Sequence, residues 1–176
     1  NDARRTGQSN SCASRDINTM KLAIGTAQFG LDYGVSNQNG QVSSQDVDKI
    51  LKAAISAGIT TIDTAADYGG SEQALGSSGM DSFDVVSKFG AVPEATTDVK
   101  GWVCEKIEES LVRLNVSSMY GLLLHRPNEL LGIHGDIIYE ALREAKSQGL
   151  IKNIGISISD PTELTQLIDR FDINIV

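Results

Sequence analysis

Four groups able to hold or move a proton fall at predicted strand ends or in the loop just beyond one. Asp63 sits near the end of a β-branched, apolar run, and Tyr68 follows five residues later, in a polar loop broken by Gly69-Gly70. Lys88 closes the run VVSK, and His125 closes the apolar run LLLH. A carboxylate and a phenol are costly near a core unless each finds a partner. An ammonium and an imidazole at the ends of the next two strands would supply such partners. A free phenol, with a pKa of about 10, is a poor acid at neutral pH. An ammonium beside a phenol makes its proton easier to release, and a carboxylate can hold that ammonium in place. A histidine can donate to a substrate oxygen and orient it. Together the four suit reduction of a carbonyl, in which hydride arrives from a nicotinamide and the nascent alkoxide takes a proton.

Each residue taken singly has an ordinary structural use. Asp63 could cap the following loop, Tyr68 could be a loop aromatic, Lys88 could be solvated and His125 could be a satisfied histidine. A second enzymatic reading makes Lys88 the nucleophile of a Schiff-base aldolase. That chemistry needs a lysine desolvated away from carboxylates, whereas Asp63 is expected beside it.

The elements that must position these groups alternate regularly. Leu22–Thr26 is predicted as the first strand, and a glycine-rich loop follows through Gly40. Ser43–Ala57 reads as a helix with Val47, Ile50, Leu51, Ala54 and Ile55 in one stripe. Ser43 and Asp46 resemble a capping box, and Gly58 stands where a terminating glycine belongs. Strands at Thr60–Thr64, Phe83–Ser87, Met119–Leu124 and Lys152–Ser157 alternate with helices at Ser71–Leu75, Asp98–Leu114 and Asp136–Ser147. Asp160-Pro161-Thr162-Glu163 has the residues of a further helix start, and Ile173–Val176 reads as the beginning of a sixth strand.

Such alternation implies a parallel sheet with helices outside it. A dinucleotide-binding G-x-G-x-x-G is absent after the first strand, because Gly25 and Gly30 have the wrong spacing. The expected fold is therefore an α/β parallel (β/α)8 TIM-type barrel, incomplete at the C-terminus, with about six of eight strands present. Chemistry in such barrels gathers at the C-terminal ends of the strands, which is where Asp63, Lys88 and His125 fall.

Composition excludes several classes. The 176 residues carry a net charge of −8, which argues against nucleic-acid binding through a broad basic surface. Residues 1–19 hold three Arg and two Asp, so the body alone stands at −9. That polar stretch is expected to be a disordered tail, with Met20 the possible true start and residues 20–176 the partial barrel. Neither a membrane-length apolar run nor a signal-peptide pattern is visible, so a cytoplasmic location is expected. Cys12 and Cys104 share no metal-binding spacing and read as reduced thiols.

TIDTAADYGGSEQALG, VVSKFG, LLLHRP and IKNIGIS resemble the signature segments of the aldo-keto reductases, in the same order. The resemblance extends from Leu22 to Val176. It implies a (β/α)8 barrel that binds NADPH, occasionally NADH, without metal, and acts on a small-molecule carbonyl. It assigns acid/base work to Tyr68, tuning to Lys88 and Asp63, and positioning of the carbonyl to His125. Gly25, Thr26, Asp63 and Ser157 are implied at the cofactor. A nicotinamide-binding regulatory barrel is the non-enzymatic alternative, since the family includes such members.

Two departures from the family pattern stand out. Ile158 replaces the asparagine that follows the serine, which weakens or moves carboxamide recognition. The sequence also ends within the expected sixth strand, before the loops implied to hold the cofactor's phosphates. On that reading the fragment is inactive by itself and self-associates through unpaired strand edges. GTAQFGLDYG and Ile158 resemble relatives found in bacterial surface-polysaccharide gene sets. Asp32-Tyr33-Gly34 is read as a loop near the substrate mouth, and His134 and Cys104 as structural.

Overall fold

Short β-branched and apolar runs separated by amphipathic segments give one parallel sheet with helices on its outer side. The computed structural model describes residues 22–176. The expectations for residues 1–19, Met20 and Cys12 lie outside the described residues. Strands β1 (Ala23–Gly25), β2 (Thr61–Asp63), β3 (Asp84–Phe89), β4 (Met119–Leu124) and β5 (Ile151–Ile156) pair in sequence order, every pair parallel. Each strand lies beside its predecessor, with no reversal of order. That sequential order is what a barrel wall needs and what a doubly wound sheet lacks.

The expected sixth strand is reduced to a single parallel bridge between Ile175 and Gly155. The amide of Ile156 donates to the Ile175 carbonyl at 3.1 Å. Gly155 permits the approach, since a Cβ there would lie 2.8 Å from the Ile175 oxygen. Asn174 also caps this edge, its side-chain oxygen accepting from the Ile154 amide.

Helix α1 (Ala27–Gly30) lies inside the loop that follows β1, where four residues offer no periodicity to read. Helix α2 (Ser44–Ser56) begins as its sequence implies, with the Ser43 side chain accepting from the Asp46 amide. Val47, Leu51 and Ala54 are buried, while Ile55 at the edge of the stripe is exposed. Helix α3 (Ser71–Ser78) runs three residues past its expected end. Helix α4 (Val99–Leu114) is capped by Asp98 and ends at Asn115, which is left-handed at φ 53°. A 3-10 turn at Pro127–Leu131 precedes helix α5 (Gly135–Ser147), and helix α6 (Thr162–Ile168) follows β5.

The core lies between the sheet and these helices. Val85, Leu122 and Ile154 pack with Val103, Ile107 and Leu142 in one buried cluster. Full burial of each such side chain contributes about 1.5–3 kcal/mol. Side chains alternate along β3, so Ser87 and Phe89 face the helices: Ser87 bonds to Glu72 of α3, and Phe89 meets Trp102 of α4 edge-on. Val86 and Lys88 therefore point to the opposite, inner side.

Candidate active site

Strand register puts three of the expected groups on one inner face. Asp63 pairs with Val86, and Lys88 lies two residues beyond Val86 on the same side. Lys88 pairs in turn with Leu123, and His125 lies two residues beyond Leu123. The three therefore meet at the C-terminal ends of β2, β3 and β4.

Lys88 is the centre of the cluster. Its Nζ lies 2.8 Å from Asp63 Oδ1, 2.9 Å from the Thr64 carbonyl oxygen and 3.5 Å from the Tyr68 hydroxyl. An ammonium has three protons to donate, and these are three acceptors. The Lys88 side chain is only 7% exposed, whereas that of Asp63 is 40% exposed. The pair thus buries the ammonium among oxygens and leaves the carboxylate in contact with solvent. The Tyr68 ring stands 5.0 Å above the ammonium and meets the His125 ring edge-on, with centroids 6.0 Å apart.

The loop that carries Tyr68 is fixed from below. Ser71 places its hydroxyl 2.9 Å from both the carbonyl and the hydroxyl oxygen of Thr26, and 3.1 Å from the Thr64 hydroxyl. The Ser71 amide donates to the Tyr68 carbonyl at 3.1 Å. Gly30 makes room for the same carbonyl, since a Cβ at Gly30 would come 1.7 Å from it. Gly69 turns the chain at φ +56°.

The residues expected at the cofactor separate into different settings. Thr26 is fully buried, and its hydroxyl donates to the Asp63 carbonyl at 3.0 Å, so this side chain braces the end of β2. Gly25 is open, and a Cβ built on it meets nothing within 4 Å. Ser157 lines a cleft of about 470 Å³ with His125, Arg126, Asn128 and Glu163. Ile158 is partly buried against the hydrophobic core.

Two carboxylates in this region escape a reading of strand ends. Asp67, the residue before Tyr68, places Oδ2 3.3 Å from His125 Nδ1. Glu72 is 1% exposed and accepts from the Ser87 hydroxyl and from Arg113 Nε, the latter at 2.7 Å. It ties α3 to β3 and α4 directly behind Lys88. The signal available for Glu72 is a charged residue in a helical first turn facing an apolar core. Nothing in the sequence names Arg113 as its partner, 41 residues away. Cys104 is half-buried, and burial pushes its thiol up, so it stays protonated. His134 precedes α5 at its N-terminus, and Tyr33 is exposed. Among the described residues no helix is long and apolar enough to cross a membrane.

Residues 21–176 match the Aldo/keto reductase family. An aldo-keto reductase of Mycobacterium sp. (strain KMS) is 31% identical over 134 residues, which are 73% of this chain and 47% of that protein. The chain therefore spans about half the length of the curated relatives it matches. Among solved structures, an aldo-keto reductase of Pseudomonas aeruginosa superposes with a TM-score of 0.70 at 26% identity, over 85% of this chain and 60% of that one. An aldo/keto reductase of Klebsiella pneumoniae in complex with NADP and acetate gives 0.62 at 26% identity, over 85% of this chain and 49% of that one. The five-stranded sheet is thus part of a (β/α)8 barrel.

Proposed function

The chain belongs to the aldo/keto reductase family, and on that premise we propose that the protein is an NAD(P)H-dependent oxidoreductase that reduces a small-molecule carbonyl to an alcohol. The observation that carries the reading is the placement of Lys88 between Asp63 and Tyr68. Tyr68 is the proton donor to the forming alkoxide. Lys88 holds the phenol from below, and Asp63 holds Lys88. His125, at the end of the neighbouring strand β4, positions the carbonyl oxygen before proton transfer.

A bound nicotinamide would supply the hydride. The open backbone at Gly25, the solvent-facing carboxylate of Asp63 and the Ser157 side chain suit a group lying across the strand ends. Thr26 would act there through its backbone and by bracing β2, because its hydroxyl is already bonded. NADPH is the proposed cofactor, by analogy with the NADP complex of the Klebsiella relative. Ile158, already packed on the core, would offer the carboxamide no hydrogen bond.

The aldolase alternative loses support from the same geometry, since Lys88 is paired with a carboxylate rather than kept away from one. Residues 1–176 alone are proposed not to turn over, because the family members they match are about twice as long. NADPH consumption by the complete protein, assayed against aldehydes, ketones and sugars, tests the function. Carbonyl-dependent oxidation of NADPH is expected. Tight NADPH binding with no turnover on any carbonyl would favour the regulatory alternative.

A further inference from the structure

The Asp67–His125 contact stands apart from the links among Tyr68, Lys88 and Asp63, and its geometry is specific. Asp67 Oδ2 lies 3.3 Å from His125 Nδ1. The carboxylate is seated on Gly90, the residue after β3: a Cβ at Gly90 would come 2.7 Å from Oδ2 and 3.1 Å from Oδ1. The His125 amide, for its part, donates to the carbonyl of Phe89, next to Gly90. Loops from β2, β3 and β4 therefore interlock at one point, and the bare face of Gly90 is what lets the carboxylate reach the imidazole.

An ionised carboxylate only accepts hydrogen bonds. If Asp67 bonds to Nδ1, that nitrogen carries the proton. The tautomer of a histidine is set by the hydrogen bond that its other nitrogen makes. We propose that Asp67 is a positioning residue that fixes the His125 ring and holds it in the Nδ1–H tautomer, leaving Nε2 for the cleft that His125 lines.

The consequence rests on the carbonyl-reduction reading given above. A neutral His125 in this tautomer has only a lone pair at Nε2 and cannot donate to a carbonyl oxygen. The ring donates to that oxygen only when both nitrogens are protonated, and Asp67 then lies against the charge it carries. In its neutral form the same Nε2 can accept from the hydroxyl of an alcohol, the arrangement wanted in the reverse direction. Asp67 immediately precedes Tyr68, so the same contact also sets the spacing of the two groups that meet the reacting oxygen.

The test reads the tautomer directly, by two-bond 15N–1H correlation of the histidine rings in the 15N-labelled protein. The sequence has two histidines, so a His134→Gln variant assigns both. Spectra are taken about two pH units above the ordinary histidine value of about 6.5. The proposal expects His125 in the Nδ1–H form. It expects Asp67→Ala to return the ring to the Nε2–H form that an unconstrained imidazole prefers. Asp67→Asn should also fail to hold the Nδ1–H form, because its amide NH2 can donate to Nδ1 and favour the Nε2–H tautomer. The Asp67 side chain is 58% exposed, so neither variant should cost the fold. An Nε2–H tautomer in the unaltered protein, or no change in Asp67→Ala, would overturn the proposal. Failure of the protein to reduce any carbonyl would remove the functional consequence and leave the tautomer result standing.

Discussion

The ammonium of Lys88 lies 2.8 Å from Asp63 and 3.5 Å from the phenol of Tyr68, although the three residues leave the chain on two strands and a loop. Parallel pairing of β2 with β3 produces this, because Lys88 lies two residues past the partner of Asp63. Lys88→Met keeps most of the volume and removes the charge. Asp63 then faces solvent and Tyr68 loses its polar support. In the complete protein, carbonyl reduction should fall by at least about 10²-fold, the lower end of what general acid catalysis contributes. The unfolding midpoint should move little, since Asp63 is already partly solvated. Steady-state kinetics beside urea unfolding checks this, and near-normal turnover would remove Lys88 from the site.

Glu72 should matter for stability rather than for contact with substrate. Its carboxylate is buried against Arg113 and Ser87, and Arg113 is itself 23% exposed. Breaking a fully buried ion pair costs about 3–5 kcal/mol, and the partial exposure of Arg113 places Glu72→Ala at about 2–3 kcal/mol. Denaturant unfolding should show the loss, and a change below about 0.5 kcal/mol, the usual limit for surface substitutions, would mean that the pair is not formed.

Two glycines on either side of the β1 loop should respond in opposite ways. Alanine at Gly30 would drive a methyl group into the Tyr68 carbonyl and the Ser71 amide. Overpacking of that kind costs about 1–3 kcal/mol, and the Tyr68 loop should shift. Alanine at Gly25 meets open space, so the fold should be unchanged. If the nicotinamide lies there, Gly25→Ala should nevertheless weaken NADPH binding in the complete protein. Calorimetric titration beside thermal unfolding separates the two effects.

Acid should erase one specific contribution to α2. The hydrogen bond from Lys49, and then that from Ser43, hold the Asp46 carboxyl below its usual value of 3.8 in the folded chain. A carboxyl whose folded value is depressed stabilises the fold above its unfolded value, and that contribution is lost as pH falls through the folded one. Asp46→Asn should therefore be less stable than the unaltered chain at pH 7. The gap should narrow as pH drops below about 4, the range of an unperturbed Asp. Urea midpoints across that range check the sign; a gap that widened on acidification would contradict it.

How much of this was legible in the sequence depends on the range of the interactions. Continuous β-branched and apolar runs marked the main strands and period-3.6 stripes the helices, and β4 matches its expected limits. Asp63, Lys88 and His125 at strand ends and Tyr68 in the loop after β2 do converge, because parallel pairing in sequence order brings successive strand ends to one rim. Ala27–Gly30 and Pro127–Leu131 were invisible because neither is long enough to show a helical stripe. Thr26 shows a different limit. Its position at the end of β1 was readable, but its burial beneath Ser71 depends on the start of α3, 45 residues later. Asp67 carries no local signal for a similar reason, since only folding brings it within reach of His125, 58 residues away.

Tyr68→Phe tests the central claim most directly. The change removes one oxygen and little volume, and the ring contacts with Lys88 and His125 can remain. In the complete protein, kcat for carbonyl reduction should fall by about 10²–10⁴-fold, the contribution of a general acid. NADPH affinity measured in the same preparation should stay essentially unchanged. A Tyr68→Phe protein that reduces its carbonyl substrate at near-normal kcat would contradict the assignment of the phenol as proton donor.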